Sequence, residues 1–197
     1  MRIKKIVLTG GPGGGKTTAL DLFRRELKNG VSIAPEAATI LFENGFKRGD
    51  SLEDLRKTQL AIYELQKSLE DIFDKGTDSS VIICDRGSLD GLAYWPDNKN
   101  SFFEAIKSSY KKEINRYDAV VFFESGACSG SDLKSNNPFR KENSQEAQEL
   151  DLKLKEIWSK HPNFHFISSQ ESFISKVISG LETIKALLSD TSGLLIK

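Results

Sequence analysis

Cysteine and histidine are scarce in this chain of 197 residues, with two of each. Cys84 and Cys128 cannot supply a disulfide framework, and Cys84 sits inside an apolar run, as a small buried thiol does. His161 and His165 are too few and too late for a catalytic triad or a metal cluster; a helix-end cap and a strand residue are the roles expected of them. An excess of one charge is also missing. Lys and Arg total 28 and Asp and Glu total 28, so no net field draws the chain to nucleic acid or to an anionic membrane, and neither partner is expected. Long hydrophobic runs are absent too. No window approaches a membrane span, and the N-terminal MRIKKIVLTG holds too short an apolar stretch, Ile6 to Leu8, to act as a signal peptide. Together these absences predict a cytoplasmic protein. What remains is an ordinary globular composition, long enough for a single α/β domain with one sizeable core.

Strand and helix patterns alternate along the chain. IKKIVLTG reads as a buried strand, and KTTALDLFRRELKNG as a helix with Ala19, Leu20, Phe23 and Leu27 on one face. VSIAPEAA reads as a second short strand ending at Pro35, and ATILFENG as a short helix. A longer helix begins at Ser51, where Ser51 and Asp54 resemble a capping box, and Leu52, Leu55, Ile62, Leu65, Leu69 and Ile72 mark its apolar face. VIICD (81–85) is a central strand, FFEAIKSSYKKEINRY an amphipathic helix, and DAVVFFE a fourth strand. Residues 125–146 turn polar and read as a long loop or lid. A helix carrying Ala147, Leu150, Leu154, Ile157 and Trp158 follows, then a fifth strand, FHFIS, and a last helix from Ser172 to Leu188. The expected fold is a three-layer α/β domain over residues 1–189, with about five parallel strands flanked by helices. Residues 190–197 form a weakly determined tail, and strand order cannot be read from spacing.

The most specific signal is LTGGPGGGKTTAL. Gly10, four residues, then Gly15-Lys16-Thr17 satisfy G-x-x-x-x-G-K-[ST], which a given window matches by chance about once in tens of thousands. A strand leads in and a helix leads out, the context that distinguishes a phosphate loop from a flexible linker. Backbone N–H groups of Gly11, Pro12, Gly13, Gly14, Gly15, Lys16, Thr17 and Thr18 (Pro12 contributing shape alone) would cradle phosphate oxygens at the helix N-terminus. Lys16 would reach the β- and γ-phosphates and Thr17 would ligate Mg²⁺. ATP, or GTP, with Mg²⁺ is therefore the expected cofactor set.

Other candidates surround this loop. Asp85, closing VIICD, suits a metal partner or a base, or else caps the turn after its strand; Arg86 follows where an arginine can face phosphate. No Glu follows Asp85, which argues against vigorous hydrolysis. Glu36 lies past the second strand, at the mouth where open α/β sheets bind ligands. It reads either as a hydrogen-bond acceptor or base for a substrate hydroxyl, or as a carboxylate in the first turn of a helix. Asp90, Tyr94 and Trp95 are either acceptor-pocket residues or, respectively, an N-cap and core aromatics. Arg140, before a helix, suits charge neutralisation from a closing lid, or a solvated basic surface; its guanidinium makes it a better phosphate ligand than Lys141.

GGPGGGKTT, PEAA, DRGSLDGLAY, the polar segment with Arg140, and EAQELD occur in the order found in one family. Over roughly Ile3 to Leu187 the chain resembles the NadR-like AAA-type P-loop domains, which include ribosylnicotinamide kinase modules and ATP/GTP-binding proteins. The resemblance implies a five-stranded parallel core of kinase-like topology, with Gly10 to Thr18 as the nucleotide loop and Asp85 and Arg86 as the second motif. The family includes both small-molecule kinases and GTP-binding regulators that contact phospholipid. A guanine-selecting N/T-K-x-D is not evident, since Asn98-Lys99-Asn100 lacks the aspartate. The leading expectation is an ATP- and Mg²⁺-dependent phosphotransferase for a small, perhaps nucleoside-like, acceptor. The alternative is a nucleotide-binding switch or slow NTPase acting through a protein or lipid partner.

Overall fold

The computed structural model describes residues 4–27, 30–76, 79–129, 143–169 and 172–192. Five strands, β1 (Lys4–Thr9), β2 (Val31–Ala34), β3 (Val81–Asp85), β4 (Ala119–Phe123) and β5 (Phe164–Ile167), pair in parallel in the order β2-β3-β1-β4-β5. Their side chains alternate between two cores. Val7, Ile82, Cys84, Val120 and Phe122 face one side, while Ile6, Leu8, Val81, Ile83, Val121 and Phe123 face the other. Helices cover both faces, which is why the central strands read as continuous apolar runs.

On the second face lie α1 (Lys16–Glu26) and α7 (Phe173–Ser192), through Ala19, Leu20, Phe23, Val177, Leu181 and Ile184. The first face carries α3 (Leu52–Gly76), α4 (Lys99–Ala105) and α6 (Ser144–Trp158), with the aromatic group Tyr63, Trp95, Phe102 and Trp158. The short α2 (Ala37–Glu43) packs on α3. Among the described residues, no helix is long and apolar enough to cross a membrane.

Two expected helices differ. FFEAIKSSYKKEINRY is not one helix: α4 ends at Ala105, Lys107 adopts φ 50°, and Ser109 caps a separate α5 (Tyr110–Ile114) by accepting from the Lys112 N–H. A lysine in the left-handed region breaks the ladder, and a serine cap restarts it. In α3 the cap is as read, with Ser51 Oγ accepting from the Asp54 N–H at 3.1 Å, but the apolar stripe is not the buried face. Leu52 and Ile72 are 59% and 64% exposed, while Thr58, Gln59, Tyr63, Gln66 and Glu70 are buried. The inward face can be polar because its partners are waiting. Tyr63 donates to Glu113 at 3.0 Å, and Glu70 takes Tyr117 at 2.8 Å and Arg116 at 2.7 Å.

The two edges of the polar segment fall within the described residues. Ser125 is fully buried, Gly126–Ser129 form one 3-10 turn, and Asn143 caps α6 in a capping box with Glu146. Arg140 and Lys141 lie outside the described residues. At the C-terminus α7 runs to Ser192, beyond the expected end at Leu188. His161 follows α6, bonded to the Tyr117 carbonyl and the Asn163 N–H, and His165 lies in β5.

Candidate active site

The loop between β1 and α1 takes its shape from its glycines. Gly10, Gly13 and Gly15 adopt φ of 133°, 71° and 86°, a region closed to most side chains. A Cβ on Gly10 would lie 2.0 Å from the Phe123 carbonyl oxygen. Gly15, in the left-handed region, starts α1 without a side-chain cap. The N–H groups of Gly13, Gly14 and Gly15 find no backbone acceptor among the described residues. Lys16 is buried, its Nζ donating to the Gly10 and Gly11 carbonyls at 2.7 and 2.8 Å. A buried ammonium inside a ring of N–H donors fits a polyphosphate.

The parallel register sets Asp85 opposite Leu8, so the end of β3 abuts the start of the loop. No hydrogen-bond donor among the described residues reaches the Asp85 carboxylate. Burial pushes it up, the negative charge of Glu36 adds to this, and Arg86 and Lys16 only partly offset them, leaving it at about 7. An under-compensated buried carboxylate is chemistry that fits a divalent cation, and the Thr17 hydroxyl, in the first turn of α1, is exposed.

Arg86 is the most constrained residue nearby. It has φ 71°, costly for a residue with a Cβ, and its backbone is held at both ends: its N–H donates to the Leu8 carbonyl at 3.0 Å and its carbonyl accepts from Gln66 Nε2 at 3.2 Å. Its Nε donates to Glu36 and its Nη1 to Asp90 Oδ2 at 3.0 Å. Burial works against the guanidinium charge, but Glu36, Tyr94, Asp90 and Asp85 more than offset it. Burial likewise opposes the Glu36 charge, yet Arg86, the Thr39 hydroxyl and Lys16 bring that carboxyl down to about 2. Glu36 stands at the N-cap of α2, but its side chain engages Arg86 and Thr39 and makes no helix cap.

A small cleft opens beside this pair. Glu36, Tyr63, Gln66, Arg86, Ser88 and Asp90 supply its polar lining, and the Ser88 hydroxyl is buried without a hydrogen-bond partner among the described residues. Asp90 is a buried hub rather than an open ligand: its carboxylate takes Thr9 Oγ1, Trp158 Nε1, Arg86 Nη1 and the Gly87 N–H. Tyr94 packs against the apolar core and does not line the cleft; Trp95 is core, edge-on to Phe102.

The chain so far has a phosphate loop, an acid at the neighbouring strand end, and an arginine beside a cleft. The model of one family, described as AAA domain, matches residues 5–173. This chain belongs to the AAA domain family.

Among solved structures, this AAA domain resembles deoxyadenosine kinase from M. mycoides with bound dATP. The TM-score is 0.62 over 94% of this chain and 99% of that one, at 18% identity. At that identity the likeness carries the fold, a five-stranded parallel P-loop kinase fold. No protein of curated function matches the sequence.

Behind the loop of the AAA domain, Glu124, Cys128 and Asp151 bring potential metal ligands within 4.8 Å of one another. Protein donors already engage these groups, although burial still raises Asp151. Glu124 accepts from Ser168 and Ser169, Asp151 from the Gly11 and Ser125 N–H groups, and the buried Lys176 ammonium lies among them. Burial lowers Lys176 to about 8 even so. Sequence alone assigned no site role to Gln66, Ser125, Asp151 or Trp158, although Asp151 closes the EAQELD motif. Gln66 and Asp151 are polar positions beside apolar ones on their helices, a faint signal that no spacing rule assigns to a partner.

Proposed function

We propose that this AAA domain is an ATP- and Mg²⁺-dependent phosphotransferase acting on a small, nucleoside-like acceptor. The observation that carries it is the Glu36–Arg86 pair, set at the mouth of a small, mostly apolar cleft and within the field of Lys16.

In this reading Lys16 neutralises the transferred phosphoryl group at the β/γ bridge, and Arg86 stabilises charge on its equatorial oxygens. Thr17 and Asp85 would hold Mg²⁺, which would supply further charge neutralisation on the phosphates. Glu36, ionised because of Arg86, accepts the hydrogen bond of the acceptor hydroxyl and aims its oxygen along the line of attack. The acceptor oxygen forms its bond to the γ-phosphorus as the bond to the β,γ-bridging oxygen breaks. The hydroxyl proton passes to Glu36 or Asp85, and ADP leaves. Because such transition states are loose, orientation and electrostatics carry most of the rate.

The test is ³¹P-detected ATP turnover against a panel of nucleosides and other metabolites. Slow hydrolysis alone and at least ten-fold faster ATP consumption with one acceptor class is expected. Lys16→Ala should abolish measurable Mg·ATP binding; wild-type affinity and turnover in that variant would sink the proposal. Nucleotide-dependent binding to a partner or vesicle, with no active acceptor, would indicate the switch instead.

A further inference from the structure

One helix touches both halves of the site. On α6, Asp151 and Trp158 stand seven residues apart, about two turns, on the buried face that also holds Ala147 and Leu154. Asp151 Oδ1 accepts from the Gly11 N–H at 2.8 Å and from the Ser125 N–H at 2.8 Å, while Ser125 Oγ donates to the Pro12 carbonyl at 2.5 Å. The first two residues of the phosphate loop after Gly10 are thereby tied to α6 and to the end of β4. Two turns on, Trp158 Nε1 donates to Asp90 Oδ1 at 2.8 Å, and the other oxygen of Asp90 holds Arg86 Nη1 at 3.0 Å.

The close approach also explains a glycine in each motif. A Cβ on Gly11 would lie 2.5 Å from Asp151 Oδ1, and a Cβ on Gly87 would lie 2.6 Å from the Trp158 ring. Neither glycine needs a left-handed φ, so what excludes a side chain at each is a residue of α6.

We infer that α6 is a positioning strut: Asp151 sets the shape of the phosphate loop, and Trp158, through Asp90, sets the aim of Arg86, so the distance between the two motifs is dictated by one rigid helix. Neither residue touches a substrate in this assignment. Both act through backbone or side-chain groups that do. The inference rests on the reading of the loop as a nucleotide site and of Arg86 as a phosphoryl ligand.

The test uses the full chain with Mg·ATP as the probe, calorimetry for affinity and phosphate release without acceptor for turnover. Asp151→Asn keeps an oxygen able to accept both N–H groups and should hold the Mg·ATP Kd within about two-fold, whereas Asp151→Ala should weaken it by about ten-fold or more. Trp158→Phe keeps an aromatic ring in the core beside Tyr117 but loses the N–H. It should leave the Kd within about two-fold and lower kcat by about ten-fold with KM unmoved. A folded Asp151→Ala with wild-type Kd overturns the inference, as does Trp158→Phe with wild-type kcat. A fall in Tm with Kd and kcat shifting together in Trp158→Phe marks a merely structural role and overturns it as well. Should Asp151→Ala fail to fold, Trp158→Phe decides alone. A wild-type chain that binds no Mg·ATP would refute the nucleotide reading itself, a result distinct from all of these.

Discussion

Asp85 is a carboxylate the nucleotide-free fold would be more stable without. In the unfolded chain it ionises near 3.8, and in the folded one near 7, because burial and the Glu36 charge both oppose its ionisation. For an acid whose folded pKa is raised, the penalty is absent below the unfolded value. It grows as pH climbs through the interval between the two values and is complete above the folded one. A gap of about three pH units corresponds to ~4 kcal/mol at saturation. An amide at this position must itself lose water, so Asp85→Asn should gain roughly 1–3 kcal/mol at pH 8 and close to nothing at pH 4. The assay is urea unfolding of both proteins from pH 4 to 8, without nucleotide or Mg²⁺. If the two curves differ by the same amount at both ends of that range, or if the variant is the less stable at pH 8, the electrostatic account of this site is wrong. The same substitution should weaken Mg²⁺-dependent turnover, as expected of a metal ligand whose instability is the cost of its function.

Other perturbations probe the frame that carries the site. Gly180→Ala, although it favours helix by ~1 kcal/mol, would place its Cβ 2.2 Å from Phe123 Cζ and should cost roughly 1–3 kcal/mol in urea unfolding, with Phe123→Leu in the same chain recovering part of the loss. Glu70→Ala leaves Arg116 and Tyr117 without their buried acceptor and should cost about 3 kcal/mol, whereas Ile72→Ser, on the exposed stripe of α3, should stay within about 0.5 kcal/mol; the reverse ranking would mean that α3 packs on its apolar face.

The α3 helix shows what local pattern cannot reveal. Its start was legible because Ser51 and Asp54 act on backbone within one turn. Its orientation was not, because the polar inward face is satisfied by Glu113, Arg116 and Tyr117, residues about 45–50 positions away along the chain. The broken helix at Lys107 is a smaller case: amphipathic spacing continues across the break, and only backbone geometry shows that Ser109 starts anew.

The phosphate loop lay at the opposite extreme. GGPGGGKTT has contiguous residues, and the chemistry of such a loop (positive φ at Gly13 and Gly15, a lysine folded back on its own carbonyls) is a property of neighbours in the chain. Strand alternation likewise followed from apolar runs, since burial on both faces leaves no polar side to any central strand. The order β2-β3-β1-β4-β5, the pairing of Glu36 with Arg86, and the reach of α6 to Gly11 and Gly87 were decided by tertiary structure alone. Each depends on which distant surfaces meet, and a residue's type restricts its possible partners without naming which one the fold will bring within hydrogen-bonding range.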